Sequence, residues 1–191
     1  LLGGQGDDSI SGGNGQDLVY LNQGNDLFND NTQGGPLGND TVYAGFGNDT
    51  IQGGNGNDSF FGEAGNDLIL ARLGNDIVGG GTGNDTMNGG AGSDTLTGGA
   101  GADIFFFRTG DGSDVLMDFA TGEDKLAIAQ IVTVSSDTIG NIGADRLGNL
   151  RQVGFGELAI ATANGNTTVS FNNELLATLN GLTSLSAADF V

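Results

Sequence analysis

Eleven aspartates in this chain fall on one ruler, nine residues long. Asp8, Asp17 and Asp26 begin it; after one break follow Asp40, Asp49, Asp58, Asp67, Asp76, Asp85, Asp94 and Asp103. A glycine stands two residues before each of them. An apolar side chain stands two residues after: Ile10, Val19, Phe28, Val42, Ile51, Phe60, Ile69, Val78, Met87, Leu96 and Phe105. The unit reads G-G-x-G-x-D-x-U-x, as in Gly53-Gly54-Asn55-Gly56-Asn57-Asp58-Ser59-Phe60-Phe61, and it covers Gly3–Phe106 with a five-residue insertion at Asp30–Gly34. Glycine admits backbone dihedrals that other residues resist, so the first six residues of a unit are expected to form a tight loop. The last three are expected to form a short strand with U pointing inward and its two neighbours outward. Two units then make one turn of a flattened coil, and units i and i+2 stack on the same edge, about 4.8 Å apart.

This nonapeptide resembles the calcium-binding repeat of the RTX (repeats-in-toxin) family. The resemblance implies an all-β fold, a parallel β-roll (β-helix) of about eleven nonapeptide half-turns followed by a small antiparallel β cap. It also implies calcium ions held between stacked loops by the eleven repeat aspartates and by loop carbonyls. The glycines at the second and fourth positions carry those loops: Gly4, Gly6, Gly13, Gly15, Gly24, Gly38, Gly45, Gly47, Gly54, Gly56, Gly65, Gly74, Gly81, Gly83, Gly90, Gly92, Gly99 and Gly101. Calcium takes oxygen ligands at roughly 2.3–2.6 Å, so an ion midway between two loops reaches both.

Charge points the same way. The chain holds 24 acidic residues against five basic ones, a formal charge of −19. In two stacked columns, neighbouring carboxylates about 4.8 Å apart repel by roughly 3.5 kcal/mol per pair at an effective dielectric near 20. The repeat region is therefore expected to be largely unfolded without calcium and to fold as calcium binds. Up to about nine ions between the repeats would nearly cancel the charge. An acidic chain with scattered cations (Arg72, Arg108, Lys125, Arg146, Arg151) excludes nucleic acid as a partner, because phosphate contacts need clustered Lys and Arg. A phosphate-cradling role for the glycine loops fails for the same reason. No apolar run approaches the length of a membrane helix. The absence of cysteine removes disulfides, thiolate nucleophiles and zinc–thiolate sites. An ice-binding array would need a threonine ladder, but the third position holds one threonine, Thr82, in eleven units.

Deviations from the repeat cluster. Asn22, Glu63 and Arg72 replace the second-position glycine, and Pro36 does so after the insertion, so loops there are expected to be altered and their sites weaker. Nearby outward positions are apolar: Leu18, Tyr20 and Leu27, then Phe61, Leu68, Leu70 and Ile77. They are expected to form a docking strip for another part of the parent protein, such as a domain N-terminal to this segment, or for the C-terminal segment.

The period stops at Phe107, which suggests a module 1–106 and a C-terminal module 107–191. Gly112-Ser113-Asp114-Val115-Leu116-Met117-Asp118-Phe119 and Gly122-Glu123-Asp124-Lys125-Leu126 resemble the segment that follows the repeats in serralysin-type RTX proteins. Asp111, Asp114, Asp118 and Asp124 are candidates to hold one further calcium. Leu158–Thr162 and Thr167–Phe171 flank an Asn-Gly hairpin signal, Glu174–Leu179 is a further strand, and Ser186–Asp189 is the one expected helical turn. The ending, Asp189-Phe190-Val191, resembles the family's C-terminal export signal. That resemblance implies a secreted, extracellular or cell-surface protein whose partner is the type I secretion machinery. The alternative function is a structural or adhesive surface-layer repeat that binds polysaccharide or a partner through calcium. With no histidine or cysteine, the usual general base and the Ser-His-Asp and Cys-His arrangements are absent. The segment is expected to be non-enzymatic, with any catalytic domain N-terminal to it. With its start at Leu1, inside the repeat, it is expected to be a fragment.

Overall fold

The computed structural model describes residues 1–30, 38–131, 150–152 and 158–191. Two facing parallel stacks make up most of it. One contains Leu2–Gln5, Leu18–Gln23, Thr41–Phe46, Ser59–Ala64, Ile77–Thr82, Thr95–Ala100 and Asp114–Leu116. The other contains Ser9–Ile10, Leu27–Asn29, Thr50–Gln52, Leu68–Leu73, Thr86–Ala91, Ile104–Arg108 and Lys125–Ile131. Successive strands along the chain alternate between the two stacks, which is the expected flattened coil, here about seven turns long. Register follows the ruler: Ile69 pairs with Met87, and Val78 with Leu96. Across the insertion Val19 pairs with Val42 and Phe28 with Ile51, so the five extra residues leave the register unchanged. Most of that insertion, with Pro36, lies outside the described residues.

The strands are longer than the repeat suggests. Thr86–Ala91 joins the last three residues of one unit to the first three of the next, leaving only Gly92-Ser93-Asp94 as the connecting loop. Pairing carries through the second-position residue, as in Gly90 opposite Arg72. One consequence is a second inward position. The U residues from Val19 to Phe105 are buried, and so are Leu21, Ala44, Ala71 and Phe107 at position one. These residues replace a glycine in sequence but fill the interior in space. Each large buried side chain contributes about 1.5–3 kcal/mol. The repeat boundary at Phe106 is not a structural boundary either, since parallel stacking continues one coil further, through Asp114–Leu116 and Lys125–Ile131.

Units that lack the second-position glycine keep its backbone. Asn22, Glu63 and Arg72 take φ of 80°, 72° and 87°, beside 109° at Gly45 and 117° at Gly81. A side chain in the left-handed region costs about 1–2 kcal/mol, so these loops keep their geometry under strain. The fourth-position glycines have a stricter reason to be glycine. A Cβ on Gly56, Gly65 or Gly74 would collide with the carbonyl oxygen of Gly38, Gly47 or Gly56, one turn earlier.

Beyond the coil, Glu174–Leu179 joins Asp114–Leu116 in parallel, and Asn166–Phe171 and Ala159–Ala163 follow antiparallel. Asn164 and Gly165, at φ 53° and 80°, make the expected hairpin turn. Leu150–Gln152 pairs antiparallel with the last strand of the other stack. The expected helical turn is a 3-10 turn at Ala187–Asp189. Asp189 accepts from the Gly122 N–H at 2.9 Å, and the Val191 N–H donates to the Leu126 carbonyl at 3.1 Å, tying the tail to the end of the coil. No described helix is long and apolar enough to cross a membrane.

Gly56→Ala combines strain at φ 144° with a backbone collision, whereas Gly122→Ala meets nothing within 4 Å and suffers only its φ of 83°. In calcium-saturated thermal melts Gly122→Ala should cost about 1 kcal/mol and Gly56→Ala clearly more. Equal losses would refute the close carbonyl approach.

Candidate metal centre

Stacking places the repeat aspartates in two columns, one on each edge of the coil. The first runs Asp8, Asp26, Asp49, Asp67, Asp85, Asp103; the second runs Asp17, Asp40, Asp58, Asp76, Asp94. Within each column the carboxylates are held by one recurring hydrogen bond, in which the backbone N–H of each aspartate donates to Oδ1 of the aspartate one turn later. The distances are 2.8 Å from Asp8 to Asp26, 2.7 Å from Asp26 to Asp49 and 2.8 Å from Asp58 to Asp76. These donors offset part of the charge repulsion within a column. From Asp26 to Asp103 the repeat aspartates are 1–3% exposed.

The second oxygen has no such partner. Oδ2 is buried and without a hydrogen bond at Asp8, Asp17, Asp26, Asp49, Asp58, Asp67, Asp76, Asp85, Asp94 and Asp103. A buried charged acceptor without a donor is costly, so a periodic array of them calls for a cation. Among the described residues no three acidic side chains gather around one point. An ion would therefore draw its remaining ligands from the backbone. The loops present them: glycine carbonyls of successive fourth positions stack on the next glycine of each column, and the Asn22, Glu63 and Arg72 carbonyls lie against Gly45, Gly81 and Gly90 in the same way. Oxygen-only donors, carboxylate plus carbonyl, suit a hard divalent cation with a flexible coordination number.

Two features were not read from the sequence. Asparagine recurs at the fifth position, and its side chains form a parallel exposed ladder: the Asn48 N–H donates to Asn25 Oδ1 at 2.8 Å, and that of Asn66 to Asn48 Oδ1 at 2.7 Å. Seven asparagines on the same ruler, Asn25 to Asn84, were the available signal. The other is Asp30, the first residue of the insertion, which is 6% exposed and accepts from the Gly13 N–H at 2.6 Å.

Asp111, Asp114, Asp118 and Asp124, expected to hold one ion together, divide between the two columns: the charge of Asp111 acts on Asp114, and those of Asp118 and Asp124 both act on Asp103. Asp114 extends the second column, accepting from the Asp94 N–H at 3.0 Å, and Asp124 extends the first, accepting from Asp103 at 3.0 Å. Their spacings of 20 and 21 residues break the ruler but not the stack. Gly112 even repeats the fourth-position contact, lying against the Gly92 carbonyl. Asp118 is committed to the N–H groups of Gly98 and Gly99, both at 2.8 Å. Asp111 turns back on its own loop and accepts from the Arg108 N–H at 3.1 Å.

A coil of this kind, with aspartate columns on both edges and glycine carbonyls between them, is the architecture of a calcium-binding β-roll. The chain matches the model of the RTX calcium-binding nonapeptide repeat in four copies, at residues 1–28, 37–69, 70–105 and 79–116. More than half of the sequence is covered, and the chain belongs to that family. Among solved structures it is similar to the extracellular lipase LipA from Serratia marcescens, at 18% identity and a TM-score of 0.36. That match covers 97% of this chain and 38% of the lipase, so the chain spans well under half of the lipase's length. It is also similar to a subunit of the Azotobacter vinelandii mannuronan epimerase in solution, at 26% identity and a TM-score of 0.43, covering 85% of this chain and 83% of that one. Curated protein sequences give no match.

Burial pushes six of the column carboxyls up from the ordinary 3.8, to about 7 at Asp67, Asp76 and Asp114 and to about 6 at Asp58, Asp94 and Asp103. Backbone donors pull the other way in each case and neighbouring column carboxylates push further at most, but burial wins. Values above the unfolded one mean that the fold prefers these groups protonated. Their contribution to stability is full below pH 4 and is lost as pH rises through 6–7. The metal-free chain should therefore show more β circular dichroism at pH 5 than at pH 7.5, while calcium affinity should be weaker at pH 5 because protons compete. An unchanged or smaller metal-free β signal at pH 5 would contradict the buried, unpartnered state of the columns.

Proposed function

We propose that this chain is a calcium-responsive folding module of a larger exported protein. The observation that carries the proposal is the pair of carboxylate columns, in which ten of the eleven repeat aspartates keep one buried oxygen without a partner. At neutral pH and low calcium, such columns oppose folding, and an unfolded chain can thread a type I secretion channel. Outside the cell, calcium bound between successive loops supplies the positive charge that Oδ2 lacks, and the coil closes turn by turn. Eleven repeat aspartates, extended by Asp114 and Asp124, provide the carboxylates; the glycine loops provide carbonyls. Folding at the channel exit would also hinder backsliding. On this proposal the segment is not itself an enzyme, its partners are the secretion machinery and the rest of the parent protein, and its location is extracellular or at the cell surface. The C-terminal ending Asp189-Phe190-Val191 supports export.

One feature favours a second role, adhesion to a partner or polysaccharide. Tyr20, Tyr43 and Phe61 stack on the outer face of one sheet, with centroids 5.2 and 5.1 Å apart. Leu18, Tyr20, Leu68 and Ile77 from the expected docking strip are exposed there or on the opposite face, while Leu27, Phe61 and Leu70 are half-buried.

The deciding experiment is a calcium titration of the metal-free chain at pH 7.5, followed by far-ultraviolet circular dichroism with magnesium as control. A cooperative gain of β signal at micromolar to millimolar calcium, absent with magnesium, is the expected result. A chain that is fully folded without metal would refute the folding switch and leave the coil a passive scaffold. Export of a fused passenger would support the secretion role, whereas glycan capture without export would favour adhesion.

A further inference from the structure

One row of outward side chains on the first stack is interrupted. Successive turns set Tyr20, Tyr43, Phe61, Gly79 and Thr97 in register, each opposite the next. The first three carry rings that stack nearly parallel, at 5.2 Å and 10° and then at 5.1 Å and 17°. The fourth has no side chain. A Cβ on Gly79 would meet only Phe61, with Cδ1 at 3.3 Å and Cε1 at 3.8 Å, so one flank of the gap is a ring and the rest is open. Gly79 lies outside the left-handed region, so its backbone conformation does not call for glycine.

The gap is a groove of about 370 Å³. Gly79, Gly80 and Gly81 form its floor, and Phe61 and the exposed Thr97 stand on its two sides. Ile77, 51% exposed, stands at one end, and the exposed Glu63, opposite Gly81, at the other. Phe61 and Thr97 are two turns apart, about 9.6 Å at the usual strand spacing. One ring fits between them at the separation that the ladder already uses; two do not. The groove thus takes a single flat ring, standing on edge and continuing the stack.

Two features select that ring. A slot one ring wide suits a ring that hangs from a single bond, as an aromatic side chain does. A sugar inside a polysaccharide continues from both ends of its ring, where Ile77 and Glu63 stand. Charge is the second feature. The chain carries −19, Glu63 borders the groove, and none of the five basic residues lines it. A cation beside the incoming ring complements this surface, whereas an anionic ligand is repelled.

We propose that the groove at Gly79 receives an aromatic side chain flanked by lysine or arginine on a partner polypeptide. The partner's ring becomes the fourth rung of the ladder, and its cation pairs with Glu63. The proposal deepens the adhesive reading above by naming the partner's chemistry; it needs the folded coil but not the calcium switch.

The test is a titration of the calcium-saturated, isotope-labelled 191-residue chain, read from the amide NMR shifts of Gly80 and Gly81. The probe is a blocked tripeptide with tryptophan between two lysines. One control peptide has leucine for tryptophan, another has glutamate for lysine, and a neutral cellulose oligomer tests a glycan. The tryptophan–lysine peptide should give saturable shifts, with roughly fivefold weaker binding by the leucine peptide. Phe61→Leu should weaken binding to a similar degree, and Glu63→Gln by roughly threefold. Gly79→Tyr supplies the fourth ring from the chain itself and should abolish the shifts while β circular dichroism stays at the wild-type level. Equal binding of the leucine peptide, or unchanged binding by Gly79→Tyr or Phe61→Leu, would overturn the ring slot. Shifts with the oligomer and none with the peptide would overturn the polypeptide partner and leave adhesion to glycan. No shift with either, on a folded chain, would overturn the groove as a binding site and leave the calcium module standing.

Discussion

A carboxylate oxygen buried without a donor is the constraint on which the rest of this structure depends. Ten of them line two edges of the coil. An unsatisfied buried acceptor costs about 1–3 kcal/mol even when neutral, and more when charged. A coil whose interior is about one apolar side chain per half-turn has little to set against that. The fold is therefore conditional on what the solution supplies, either protons or a hard cation. Conditional stability is usually a defect; for the calcium-responsive role proposed above it would be the working principle.

Each carboxylate divides its two oxygens between distinct tasks. Oδ1 takes the N–H of the aspartate one turn earlier, which fixes the column and its spacing without any metal. Oδ2 stays open. If both oxygens were hydrogen-bonded, as in Asp118 with Gly98 and Gly99, the column would be stable but inert. The glycines complete the arrangement from the other side. Their carbonyls can stack at such short range only because no Cβ intervenes. Stability in such a stack is local, each turn bearing on the next, so an ion bound between two loops orders both.

Much of this is legible in the sequence because the repeat is strict where the physics is strict. The aspartate and U positions gave the coil, its register and its two edges, and Asn164-Gly165 gave the hairpin. What was hidden lies where the ruler and the stack part company. Asp114 and Asp124 sit 20 and 21 residues after their neighbours, so spacing detached them from columns that backbone pairing extends to reach them. Position one is a loop position in the motif, but in the structure it lies on a strand and points inward, which is why Leu21, Ala44, Ala71 and Phe107 are buried there. Asp30 read as an insertion residue, since nothing in linear sequence tells that its backbone still pairs, with its N–H donating to the Gln52 carbonyl at 2.9 Å.

The same contrast explains the three strained residues. Asn22, Glu63 and Arg72 occupy a left-handed position that the repeat reserves for glycine, and each follows by two residues a large outward side chain: Tyr20, Phe61 and Leu70. Two of those belong to the stacked ladder through Tyr43. Stacked aromatic pairs contribute about 0.5–1.5 kcal/mol beyond their burial, which is comparable to the roughly 1–2 kcal/mol of a left-handed side chain. The strain is thus of a size that neighbouring ring contacts can offset. The loops beneath meanwhile keep the left-handed backbone that the glycines hold elsewhere in the coil.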